Sequence, residues 1–274
     1  MALYKYYSFH NLKRALEGKV RFSQPGAFND PFELLPVINM EGIADKQGNT
    51  QLQLSFDIKG KRRPVDPVEF KEEKSNYEHD LISRQIVDSL NHQIGIFCLS
   101  KNRESLLMWA HYADNYAGGI IEFDEEHSFF DGRIDVDYRK YRPSRSIEFY
   151  IKSKEPIPIS ELSVKSLEWK YEEESRVVKI LSECDIKKGK TDSLGYPIYT
   201  SDIPFEAIKK IIVGERMPKE YQKRLFKMIK KTPVNFEIAV LDMAEYKMAV
   251  DPVKLDYPLH QIFSPRSAHL HFDS

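Results

Sequence analysis

Glu172, Glu174 and Arg176 stand at alternate positions in the run Trp169-Lys170-Tyr171-Glu172-Glu173-Glu174-Ser175-Arg176. In an extended strand, side chains two residues apart share a face. Two carboxylates on one face repel, and that repulsion can keep a proton on one of them for acid–base chemistry. Arg176 opposes that effect and orients the carboxylate it pairs with. Trp169 and Tyr171, just upstream, offer shelter from water. The bland alternative is a solvated strand edge with ordinary ion pairs, each worth about 0–1 kcal/mol.

A second polar island lies at 24–33, QPGAFNDPFE. Pro25-Gly26 favours a type II turn. Asp30 precedes Pro31 and is biased to extended backbone. Asn29 and Asp30 can bond nearby backbone groups and pin the loop. Phe28 and Phe32 flank the pair and tuck the loop against a core. This suits a binding loop, and it suits a structural Asx turn better.

The third stretch is 106–124, LLMWAHYADNYAGGIIEFD. The spacing predicts a helix over 103–117, with Leu106, Trp109, Ala110, Ala113 and Ala117 on one stripe. Leu107, Met108, His111 and Asn115 fall opposite, so the helix reads as interior. Gly118-Gly119 is expected to end it with φ above zero. His111 reads equally as a satisfied core histidine or as a pocket residue beside Tyr112.

No metal signature stands out. His269 and His271 lack a third ligand at a recognisable spacing. Cys98 and Cys184 have neither metal-ligand spacing nor the pattern of a disulfide framework. Glycine-rich phosphate loops and a G-x-S-x-G elbow are missing, which disfavours P-loop, dinucleotide-binding and α/β-hydrolase chemistry.

These residues need elements to carry them. Strands are expected at 2–7, 19–23, 94–100, 119–124, 135–141, the apolar run from 176 to 181, 208–213 and 236–241. A helix N-capped by Ser8 uses Phe9, Leu12, Ala15 and Leu16, and Gly18 should stop it. Further helices are expected over 68–90 and about 218–231, with short helical pieces at 156–169. Residues 41–66 read as a mobile polar insertion. The elements do not alternate strictly, so the fold class is α+β: one domain over 1–274, with a mixed, largely antiparallel sheet and packed helices.

The chain has 274 residues, 12% aromatics and a formal net charge of −1. It can build a sizeable core, and it exerts no global pull on nucleic acid or membrane, although a local basic patch stays open. No signal peptide and no bilayer-length apolar run is visible, so the expected location is cytoplasmic.

Several motifs carry a family resemblance. They are Leu3-Tyr4-Lys5-Tyr6, Arg21-Phe22-Ser23, Phe28-Asn29-Asp30-Pro31-Phe32-Glu33, Met108-Trp109-Ala110-His111-Tyr112-Ala113, Gly119 before Ile121-Glu122-Phe123-Asp124, and Lys165 with Trp169-x-Tyr171-Glu172-x-Glu174-x-Arg176. In this order they resemble the bacterial domain-of-unknown-function family 2971, with Tyr7 where that family tends to carry Arg. A looser similarity is to ADP-ribosyltransferases, although the first strand lacks their His or Arg. That resemblance implies an ADP-ribosyltransferase-like fold and an NAD-consuming enzyme of stress or conflict. Lys5, Tyr6, Asn29, Asp30, His111 and Tyr112 would hold NAD, with Tyr112 stacking on nicotinamide. Glu172 or Glu174 would stabilise an oxocarbenium-like centre, and Arg176 would orient it. The acceptor would be a nucleic acid or a protein.

Two other readings compete. One is a metal-dependent nucleic-acid enzyme, with Asp30, Glu33, Glu122 and Glu172 around a divalent ion and Lys165 on phosphate. The other is a non-enzymatic interaction module in which the motifs are core and turn signatures.

Overall fold

The computed structural model describes residues 2–39, 50–52, 55–64, 68–70, 76–146, 149 and 156–252. In chain order it begins with β1 (Leu3–Tyr7), α1 (Phe9–Leu16), β2 (Lys19–Phe22) and β3 (Val37–Asn39). Four short strands follow: β4 (Thr50–Leu52), β5 (Ser55–Ile58), β6 (Lys61–Pro64) and β7 (Val68–Phe70). Then come α2 (Asn76–Gln93), β8 (Ile94–Ser100), α3 (Leu106–Tyr112) and β9 (Gly119–Phe123). Next are β10 (Ile134–Asp135), β11 (Asp137–Arg139), β12 (Ser144–Ser146), β13 (Ile157–Pro158), β14 (Val164–Ser166) and β15 (Glu174–Ile180). The chain continues through β16 (Asp185–Thr191), β17 (Pro197–Asp202), β18 (Ile208–Gly214), α4 (Lys219–Ile229), β19 (Asn235–Leu241) and β20 (Met248–Pro252). The architecture is mixed α and β with largely antiparallel sheets. No helix among the described residues is long and apolar enough to cross a membrane.

The chain divides into two compact units. The first holds 18–102 and 125–204. There β15 pairs antiparallel with both β8 and β10, while β11 and β14 run parallel. Its core gathers Ile82, Ile86 and Leu90 of α2 with Ile94 and Ile96 of β8, Val178 and Ile180 of β15, and Phe56 and Ile58 of β5. The α2 residues recur every four positions, which makes one apolar stripe.

The second unit holds 2–17, 103–124 and 205–252. Its strands β1, β9 and β18 pair antiparallel, β18 and β19 run parallel through the α4 crossover, and β20 returns antiparallel to β19. Trp109 is fully buried, meets the Tyr6 ring edge-on at 5.7 Å and donates its indole N–H to Arg103 O.

Several expectations need correction. The central helix spans only Leu106–Tyr112, because Asp114, Asn115 and Tyr116 all take positive φ and stop it. Asp and Asn tolerate that conformation better than most residues. Gly118 and Gly119 do not supply it; they are needed for close approach. A Cβ on Gly118 would lie 2.1 Å from Tyr7 O, and one on Gly119 would lie 2.7 Å from Ile212 O. Nor is the helix interior on two sides. Met108 and Trp109 are buried, but Leu107 is 48% exposed and His111 faces solvent, so His111 is no core histidine.

The expected 68–90 helix begins later, at Asn76, because Val68–Phe70 is a strand paired with Thr50–Leu52. Periodicity along one segment cannot see a strand partner. Within 41–66, residues 50–52, 55–58 and 61–64 are strands, and Phe56 is 2% exposed in the core. A hairpin at Lys59-Gly60, both with positive φ, joins β5 to β6. The remaining positions of that expected insertion, and those of His269 and His271, lie outside the described residues. The expected strand 135–141 is two short strands, and 156–169 alternates β13 and β14 with 3-10 turns. The polar hairpin β16–β17 has no apolar alternation to announce it.

Candidate functional site

Five charged side chains of the first unit meet out of water. Glu33, Lys165, Glu172, Glu174 and Arg176 are 3%, 6%, 4%, 4% and 0% exposed. Arg176 lies mid-sheet, its Cα opposite Cys98 of β8 on one side and Ile134 of β10 on the other. Glu174 shares its face two residues earlier, as alternation requires. Glu172 reaches the same place by another route. It ends a 3-10 turn, Leu167–Glu172, and Glu173 then takes φ 44, which turns the chain into β15. Lys165 arrives on β14, held in register by Tyr138 of β11, whose hydroxyl accepts a hydrogen bond from Glu174 N at 2.8 Å.

Glu33 comes from the 24–33 loop. Asp30 Oδ1 accepts from Phe32 N at 2.9 Å, so the expected Asx turn is present. Glu33 N then donates to Asp30 O, and Leu34 takes φ 52. Arg142 donates to the carbonyls of Leu35 and Pro36 and holds the far end. The loop thus faces β15, but through Glu33 and Phe28 rather than Asn29. The Phe28 ring lies 5.9 Å from the Arg176 guanidinium, and Asn29 is exposed.

Charge-assisted contacts knit the cluster. Arg176 Nε donates to Glu174 Oε1 at 2.8 Å, and Nη2 donates to Glu33 Oε2 at 2.9 Å. Arg176 Nη1 stands 2.7 Å from Glu33 Oε1, but neither atom has a well-aligned hydrogen bond, so this contact is chiefly coulombic. Lys165 Nζ donates at 2.7 Å to both Glu172 Oε2 and Glu174 Oε2. Its ammonium also lies 5.5 Å from the Trp169 ring. Three carboxylates against two cations leave the cluster one negative charge in excess when all are ionised.

The two best-placed carboxylates are pushed in opposite directions. Burial raises Glu33, and the pull of Arg176 and Lys165 does not undo the rise. Burial would raise Glu174 as well, but Arg176 and then Lys165 overcome it and hold that carboxyl well below the usual range. Burial would lower Lys165, and Glu174 and Glu33 instead keep the ammonium charged beyond its ordinary range.

Of the remaining expected residues, Lys5, Tyr6, His111 and Tyr112 belong to the second unit. Lys5 is half-buried on β1, Tyr6 packs on Trp109, and exposed His111 meets the half-buried Tyr112 ring edge-on at 6.2 Å. Glu122 is also in that unit, 3.6 Å from Lys210 and 3.8 Å from Arg103. In the first unit Glu172, Glu174 and Arg176 converge, while Asn29 points to solvent and Asp30 spends one oxygen on its own turn.

Glu33 and Lys165 complete the cluster from outside the Glu-x-Glu-x-Arg run. A sequence signal for them existed. Arg176 opens an apolar run in a buried strand, so it demanded carboxylates from elsewhere, and Glu33 is a carboxylate flanked by phenylalanines. Lys165 Nζ lies between the Glu172 and Glu174 carboxylates and occupies the gap between them. Its burial also keeps it from the phosphate contact expected of it. Among the described residues, no group of three or more His, Cys, Asp or Glu side chains is placed to hold a metal ion. Compared with family models, curated proteins and solved structures, the chain matches none of them.

Proposed function

We propose that the chain is a binding module and that its Glu-x-Glu-x-Arg run serves architecture rather than catalysis. The carrying observation is Glu174. Both its oxygens are engaged, Oε1 by Arg176 and Oε2 by Lys165, and the residue is 4% exposed. A carboxylate that stabilises a developing cation must face that cation at contact distance. The motifs that resemble family 2971 support the same reading. They fall on an Asx turn, on the buried Trp109, on close-approach Gly119 and on the ion cluster. The second unit also carries apolar surface suited to a partner. A shallow cleft of about 380 Å³ lies between Leu106 and the 241–247 turn, where exposed Leu241, Met243 and Tyr246 are interleaved with Asp242, Glu245 and Lys247.

An NAD-consuming transferase is the second reading. What favours it is the opposed pair, Glu33 pushed up and Glu174 held down, since divergent carboxyls are how one site separates acid from base. The test incubates purified protein with millimolar NAD and candidate acceptors and follows nicotinamide release. The module reading expects no release from wild type or from Glu174→Gln. Release by wild type that Glu174→Gln abolishes, with the fold intact by circular dichroism, would replace it with the transferase.

A further inference from the structure

The chain is close to neutral, but one stretch is not. From Glu215 to Lys231 the sequence holds seven cations and two carboxylates, against a whole-chain net charge of −1. Most of this stretch is α4. Gln222, Leu225, Phe226 and Ile229 are buried, so its apolar face is already used in the core of the second unit. Lys219, Lys223, Arg224, Lys227, Lys230 and Lys231 are all exposed. None of the ion pairs among the described residues uses them. Arg224 lies over Tyr221 at 5.7 Å, and Tyr221 is stacked flat on Phe9 of α1 at 3.9 Å, which fixes that edge of the surface.

Helix stability explains only part of this charge. Lys227, Lys230 and Lys231 suit the negative end of the helix dipole, whereas Lys219 stands in the first turn, where the dipole disfavours a cation, and Lys223 and Arg224 lie mid-helix beyond its reach. The dipole does not account for Lys219, Lys223 and Arg224, and none of them is matched by a carboxylate among the described ion pairs. We propose that the exposed face of α4 docks the phosphate backbone of a nucleic acid. Lys223 and Lys227 are one turn apart, about 6 Å along the axis. Two nucleotide steps of one strand rise about 6.8 Å along the duplex axis. A membrane surface fits less well, because charge alone gives only about 1 kcal/mol per basic residue there and the helix has no apolar face left to insert. The contact is to backbone charge and carries no sequence preference. The proposal stands whether or not the chain is an enzyme.

The experiment is fluorescence anisotropy with an end-labelled DNA duplex of arbitrary sequence, from 50 to 200 mM salt. Three or four phosphate contacts give a log–log salt slope near −3 to −4, so affinity falls on the order of 10²-fold over that range. Lys223→Glu with Lys227→Glu and Lys231→Glu should weaken binding at least tenfold at 50 mM salt and flatten the slope. A charge-matched control in the first unit, Lys140→Glu with Lys188→Glu and Lys190→Glu, should stay within about twofold of wild type. Equal loss in both triple variants would reduce the effect to net charge and overturn the assignment. So would a wild type that ignores the duplex at 50 mM salt, or one that binds phosphatidylserine vesicles and not the duplex.

Discussion

The cluster around Arg176 and the exposed face of α4 use the same side-chain types in opposite ways. In the cluster, two cations and three carboxylates sit within contact distance and out of water, and each charge is spent on its neighbours. On α4 and the two residues after it, six cations face solvent and hold no carboxylate among the described ion pairs. Buried charges that satisfy one another specify an arrangement but have little left for a ligand. Exposed like charges add nothing to the fold and remain available to recognise something. A charged motif is therefore a poor guide to function until its surroundings are known.

The contrast breaks first at Arg176. Arg176→Leu leaves Glu33 and Glu174 buried without their shared partner and should cost about 3–5 kcal/mol, read as a lower urea midpoint. If the midpoint stayed put, the cluster would not organise the first unit. Trp109→Ala should cost a similar amount, about 3–5 kcal/mol, through a cavity in the second unit. That loss should be the same at pH 5 and pH 8, because no charge is involved. A pH-dependent loss would mean the indole supports an ionic group as well.

Glu174→Gln should cost less, about 1.5–3 kcal/mol, since shape and one set of hydrogen bonds survive. Its sign with pH follows from the depressed carboxyl. Glu174 adds stability above its unfolded value, and this stability is lost as pH falls through the lower folded value. The variant should therefore resist acid unfolding relative to its own neutral-pH stability. Glu33 runs the other way. Its folded pKa is raised, so its contribution is fully present below the unfolded value near 4.5 and fades as pH rises through the folded one. Glu33→Gln should remove that fading, and stability measured from pH 4.5 upward should then rise more steeply than in wild type. Identical slopes would mean that burial does not raise the Glu33 carboxyl in the folded protein. The smallest effect belongs to α4. Lys223→Glu with Lys227→Glu should move stability by no more than about 0.5 kcal/mol. A larger drop would mean the basic face is structural after all.

Short-range features were legible in the chain. The first helix occupies Phe9–Leu16 with Phe9, Leu12, Ala15 and Leu16 buried, and Gly18 follows with φ 86. The Ser8 cap was right in position but wrong in bonding, because its side chain makes no cap hydrogen bond. Ile94–Ser100 was readable to the residue, since a buried strand of apolar residues bounded by polar ones needs no partner to be seen. The convergence of Glu174 and Arg176 was also local, fixed by the pleat.

Tertiary structure decided the rest. Glu33 lies 143 residues from Arg176 in sequence, and nothing in either segment names the other. A buried guanidinium requires carboxylates, but which carboxylate arrives depends on how the 24–33 loop folds over β15. The glycines after α3 show the same limit. Their pattern announces a stop, while the reason for them is a backbone carbonyl from β1 at Gly118 and one from β18 at Gly119, which only the assembled sheet brings within 2.1 and 2.7 Å of a would-be Cβ. Periodicity and capping act over a few residues and are written in the chain. Charge pairing and close packing act across about a hundred residues or more, and the sequence holds them only through the fold.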